Sequence, residues 1–157
     1  MSDTPTPLKE RLRTDLTAAM RSRDKVRSGT IRMVIAAISE AEVAGSEARE
    51  LTDEQVLDVV VREAKKRREA TEAFTAAGRS ELAEKEQAEA AVLADYLPQA
   101  MTPEEVSAVV SAAIAETGAA ELGMRGMGKV MGVVTPQTKG KADGGAVAAE
   151  VRRQLAG

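Results

Sequence analysis

The chain has 157 residues and a formal net charge of −3, with 22 Lys and Arg against 25 Asp and Glu. It holds no cysteine, histidine or tryptophan, one tyrosine (Tyr96) and one phenylalanine (Phe74). Those absences exclude disulfides, thiolate nucleophiles, metal centres built on Cys or His, and Ser-His-Asp hydrolysis, and leave carboxylate, lysine and serine chemistry.

Hydrophobic residues make up 43% of the chain, and 29 of them are alanine. A core of Ala, Val, Leu, Ile and Met without aromatic bulk favours close-packed helices over a β-sandwich. The pattern, taken in chain order, is helical throughout. Leu8, Leu12, Leu16 and Met20 or Ala19 recur at helical spacing and predict a first helix over 8–22. Asp24 is a good N-cap for a second, running to Val43 with a stripe of Ile31, Val34, Ala37, Ile38 and Ala41. Gly29 inside it costs ~1 kcal/mol relative to alanine. Residues 44–50 read as a linker.

Thr52-Asp53-Glu54-Gln55 is a capping box, and a long helix follows to Ala77 with Gly78 as its C′ residue. Ser80 is expected to cap a fourth helix, which carries Leu82, Glu86, Ala90, Leu93 and Leu97 and ends at Pro98. Thr102-Pro103-Glu104-Glu105 is a second capping box, with proline at the first helical position. Val106, Val109, Val110, Ala113 and Ile114 give that helix its face, and Gly118 ends it. A short helix around Met127–Val134, a cationic loop over 135–142 and a last helix capped by Asp143 complete the pattern. The reading is all-α: a four-helix N-terminal domain over 1–97 and a three-helix domain over 98–157, joined by a short hinge, Pro98-Gln99-Ala100-Met101. No apolar run approaches the ~20 residues of a membrane span. The start is polar, without the apolar stretch of a signal peptide, so the cytoplasm is the expected compartment.

Charge is unevenly spread. From Lys9 to Arg32 there are eight cations against three acids, and from Leu122 onward six against two. The run Lys65-Lys66-Arg67-Arg68 is dense, but at 100° per residue it spreads around its helix and makes no single patch. On the same wheel Glu63 and Arg67 share the face of Val56, Val60, Ala70 and Phe74, spaced i, i+4 with the acid first. Arg27 falls on the Val34/Ile38 stripe of its own helix. Arg27, Glu63 and Arg67 therefore form a candidate cluster. It is either an ion-pair network fixing helix register, or a cleft for a carboxylate or phosphate, or a set of long side chains reaching back to solvent.

Seven glycines crowd into residues 123–145. Gly128-Lys129-Val130-Met131-Gly132 lacks the P-loop spacing and no strand precedes it. Gly128 and Gly132, four apart, would let two helices approach closely. Lys129, Lys139 and Lys141 are expected to meet near the N-terminus of the last helix, a natural phosphate site for which the Asp143 side chain competes. No cofactor is called for.

Several fragments together carry a family resemblance: Gly78-Arg79, Leu82-Ala83-Glu84-Lys85-Glu86, Tyr96-Leu97-Pro98, Met127-Gly128-Lys129-Val130-Met131-Gly132 and Gly140-Lys141-Ala142-Asp143-Gly144. From about Leu8 to Leu155 the chain resembles the YqeY family. From Thr102 onward it is similar to the tail domain of GatB, the B subunit of the tRNA-dependent amidotransferase. The resemblance implies a helical N-terminal domain, a three-helix tail and tRNA as partner. In GatB the tail contacts tRNA, while the amide chemistry sits in other domains and another subunit. On the reading of an RNA-interacting accessory protein, the cations Arg125, Lys129, Lys139, Lys141 and Arg152 are the expected backbone-contacting residues. With one Tyr and one Phe, base stacking is not the expected mode. The resemblance also implies, as an alternative, a part in carbon–nitrogen ligation with glutamine as amido donor. No Ser-Ser-Lys amidase arrangement and no nucleotide-binding cradle domain is recognisable, so independent catalysis is not expected. A helical adaptor that binds another protein is the third reading.

Overall fold

The computed structural model describes residues 6–157; residues 1–5, most of the polar start, lie outside them. The described chain is helical, with no strand. It folds as two compact units, Met1–Leu97 and Pro98–Gly157.

The first unit holds α1 (Leu8–Arg21), α2 (Lys25–Val43), α3 (Asp53–Ala76) and α4 (Ser80–Ala94). Leu12, Ile31, Val34, Ile38, Val56, Val60 and Leu93 are fully buried and make one core. Each such side chain contributes roughly 1.5–3 kcal/mol by leaving water. The capping box forms in full: Gln55 N–H donates to the Thr52 hydroxyl and Thr52 N–H donates to the Gln55 side chain. Glu42 ties the following loop down, accepting from Leu51 N–H at 3.0 Å and from Lys9 Nζ at 2.8 Å. Those two bonds, the lysine's first, hold its carboxyl below the ordinary range.

α3 closes in a Schellman turn. Gly78 takes φ 72°, Arg79 N–H donates to Phe74 O, and Gly78 N–H donates to Thr75 O. The chain re-enters helix at once. Ser80 is therefore the first residue of α4 and not its cap; the cap position belongs to Arg79, whose side chain makes no capping bond. α4 stops at Ala94, and three i→i+3 bonds tighten Asp95, Tyr96 and Leu97 ahead of Pro98.

The second unit holds α5 (Pro103–Thr117), a 3-10 stretch (Ala119–Gly126), α6 (Met127–Thr138) and α7 (Gly144–Ala156). Val106, Val110, Ala113, Ala119, Val130, Val134, Val147 and Val151 form its core. α6 runs four residues past Val134, so the expected loop begins only at Lys139. Pro136 lies inside the helix on its exposed side, where it removes only its own N–H from the ladder. The 3-10 stretch has no signal in the sequence pattern. Gly126 packs there against Ala119: a Cβ at Gly126 would lie 2.8 Å from the Ala119 Cβ. Gly128 and Gly132 are exposed with open space around them, so neither mediates close helix packing.

Candidate functional site

Two polar constellations stand out, one in each unit. In the first, Glu63 and Arg67 on α3 are buried together with Glu89 on α4. Arg67 Nη1 meets Glu63 at 3.1 Å, Nε meets Glu89 at 3.1 Å and lies 3.8 Å from Glu86, and Nη2 donates to the Met33 sulfur at 3.3 Å. Lys66 reaches Glu63 from the surface at 3.0 Å. The guanidinium thus finds a partner for each of its nitrogens, the condition under which a buried charge is tolerated. Among the described residues no buried side-chain polar atom lacks a hydrogen bond. The Arg67 guanidinium is thereby saturated, and only the Glu63–Lys66 edge of the cluster opens onto a surface groove.

Arg27 is not part of it. Its guanidinium pairs with Asp95 at 3.1 Å, and that bond is the first cause of its raised pKa. The helical wheel sets Arg27 on an apolar stripe, but it sits one turn into α2, where a long side chain reaches the end of α4. The members that sequence reasoning missed are Glu86 and Glu89. A signal existed: Arg67 and Glu89 each lie 11 residues from Gly78, so an antiparallel hairpin turning there sets them opposite.

A second polar contact in this unit joins Tyr96 to α1. The hydroxyl donates to Asp15 at 2.5 Å, and the Arg11 guanidinium lies 5.3 Å from the ring centroid. Burial first, and Asp15 next, raise the tyrosine pKa, so the hydroxyl stays protonated and donating.

In the second unit the five cations expected to contact RNA do not share one element. Arg125 is in the 3-10 stretch, Lys129 on the first turn of α6, Lys139 and Lys141 on either side of Gly140, and Arg152 on the outer side of α7. Lys129 and Lys139 stand at opposite ends of α6, about 15 Å apart along its axis. They do not meet in one anion pocket. The N-terminus of α7 is already occupied, because Asp143 accepts from Ala146 N–H at 3.1 Å. Arg125, Lys129, Lys141 and Arg152 are exposed and make no ion pair among the described residues. Arg153, their neighbour, is engaged by Glu150 at 2.6 Å. That bond first, then one from Gln154, holds the Glu150 carboxyl down at about 2.

The fold and these constellations define an all-α protein of two helical units, with an internally paired buried cluster in one and dispersed exposed cations, Arg125, Lys129, Lys141 and Arg152, on the other. The chain belongs to the YqeY-like protein family, whose model matches residues 9–155. It is similar to "Altered inheritance of mitochondria protein 41, mitochondrial" of the fungus Pyrenophora tritici-repentis (strain Pt-1C-BFP). The two are 34% identical over 146 residues, which cover 90% of this chain and 78% of the relative. Among the described residues no single helix is long and apolar enough to cross a membrane.

Proposed function

We propose that the protein is a non-catalytic accessory factor that engages RNA of the tRNA type through its C-terminal unit. The observation that carries this reading is the set of exposed, unpaired cations, Arg125, Lys129, Lys141 and Arg152, with Lys139 in the turn between α6 and α7. Cations at the two ends of α6, about 15 Å apart along its axis, suit a row of phosphates better than a single anion. Affinity from such contacts comes with counterion release, and a rigid helical unit supplies shape recognition. The similarity of this segment to the tail domain of GatB supports the same partner. No catalytic step is proposed for the chain: the buried Arg67 is already bonded to Glu63 and Glu89, and Glu63 to Lys66 as well.

The test is tRNA binding by fluorescence anisotropy across a salt series. Lys129→Glu with Lys141→Glu should weaken binding and reduce the slope of log affinity against log salt by roughly one per lost contact. Absence of any tRNA complex at low salt would sink the proposal. Purified protein given ATP, glutamine and misacylated tRNA should form no amidated product. Cytoplasmic placement belongs to the same proposal; the fungal relative is mitochondrial by name, and cell fractionation decides for this chain.

A further inference from the structure

Beside Lys141 the C-terminal unit holds an open groove of about 530 Å³, lined mainly by Gln99, Met101, Glu105, Val109, Gln137 and Lys141. Its walls are tied together: Met101 N–H donates to the Lys141 carbonyl at 2.8 Å, which holds the turn after α6 against the segment leading into α5. Gln137 donates to Val133 O at 3.1 Å, which orients its side-chain amide. Met101 and Val109 are half-buried and apolar.

Glu105 is the residue that gives the groove a chemistry. Thr102 and Glu105 have the spacing of a capping box, and Glu105 N–H does donate to the Thr102 hydroxyl at 3.1 Å. The return bond that Gln55 makes at Thr52 has no counterpart here. Among the described residues the Glu105 carboxylate has no hydrogen-bond or ion-pair partner, and it lines the groove. A free carboxylate beside RNA-facing cations repels phosphate, so it adds affinity only where it meets donors.

We infer that this groove takes a single guanine nucleotide, its base edge against Glu105 and its phosphate against Lys141. Of the four RNA bases, guanine alone presents two adjacent N–H donors, N1 and N2, on its pairing edge, and a carboxylate offers two acceptor oxygens to match them. Uracil offers one donor flanked by two carbonyl oxygens, which the carboxylate repels. The base faces lie against Met101 and Val109, and the Gln99 and Gln137 amides supply a donor and an acceptor for the remaining edge. On the RNA-binding reading above, on which this extension rests, the nucleotide is an unpaired guanosine of the RNA.

Two probes on the full chain test it. In NMR titrations with the four nucleoside 5′-monophosphates, GMP should shift the amides of Met101, Glu105 and Val109 saturably. It should bind about tenfold more tightly than UMP. Glu105→Gln should remove the GMP advantage, and Lys141→Glu should weaken all four. No saturable shift in the groove with GMP, or a guanine preference that survives Glu105→Gln, overturns the inference. tRNA binding measured in parallel separates it from the wider reading. tRNA binding without guanine selectivity overturns the groove alone. GMP-selective shifts without tRNA binding support the groove and overturn the wider reading.

Discussion

The two units handle charge in opposite ways. The N-terminal unit buries Glu63, Arg67 and Glu89 and matches them to one another. The C-terminal unit buries no charge; Thr138 is its one buried polar residue among those described, and its hydroxyl bonds within its own helix to Val134 O. The physical difference lies in what each interface has to specify. α3 and α4 form a long antiparallel hairpin with several alanines between them, and small side chains alone register such a pair weakly. Glu63 shares α3 with Arg67, so the contact that bears on register is the one from Arg67 to Glu89 across to α4; a slip that breaks it leaves a buried carboxylate without its cation. The smaller unit is registered by valine packing and by the close contact of Gly126 with Ala119, and Arg125, Lys129, Lys141 and Arg152 stay in water.

The strongest way to break this contrast is Arg67→Ala. It leaves Glu89 buried without its cation and Glu63 with Lys66 alone, and should cost about 3–5 kcal/mol in chemical denaturation. A loss below ~0.5 kcal/mol would place the cluster in solvent and erase the difference between the units. Gly126→Ala is the matching test in the other unit. The added methyl lies 2.8 Å from the Ala119 Cβ and 3.1 Å from its carbonyl oxygen, so overpacking should cost about 1–3 kcal/mol. Hydrogen exchange should show each loss within its own unit.

Smaller changes sharpen the contrast. Arg23 holds φ 58° at the end of α1, a left-handed position that glycine occupies without penalty, so Arg23→Gly should raise stability by about 1 kcal/mol. Glu150 offers a pH test for the C-terminal unit. Its carboxyl sits at about 2 in the folded chain against an ordinary 4.5. A lowered folded-state value means that its stabilising contribution is present above about pH 4.5 and is lost as pH falls toward 2. Glu150→Gln should flatten that part of a plot of Tm against pH. Least of all, Lys129→Glu with Lys141→Glu should change stability by less than ~0.5 kcal/mol while weakening tRNA binding, because both side chains are exposed and unpaired. A large stability loss would mean that these lysines serve the fold.

How much was legible depends on the range of the interaction. Thr52 with Gln55, Asp24 with Arg27 N–H, Asp143 with Ala146 N–H and the left-handed Gly118 can all be read from the chain, since each involves residues within a few positions. The pairing of Glu63 with Arg67 has the same local character, one helical turn apart. Arg27 with Asp95 spans 68 residues, and no local pattern reveals it. Glu86 stands on the expected stripe of its helix, but its meaning waits on the hairpin that carries it to Arg67. The glycines show the same limit. Composition marks the crowded segment, yet the close contact falls on Gly126 and not on Gly128 or Gly132, since only neighbouring helices decide which backbone is approached.

The sequence by itself therefore determined the all-helical class, most helix ends and the absence of cysteine and histidine chemistry. Periodicity, capping and composition are local properties of the chain. Only the tertiary structure decided which charges neutralise one another and which are left free. It closed Arg67 inside a ring of carboxylates, separated Lys129 from Lys139 by the length of α6, and released the Glu105 carboxylate from its expected cap into a groove. A charge finds its partner through space, and the distance between two side chains is set by how helices pack rather than by how far apart they stand in the chain.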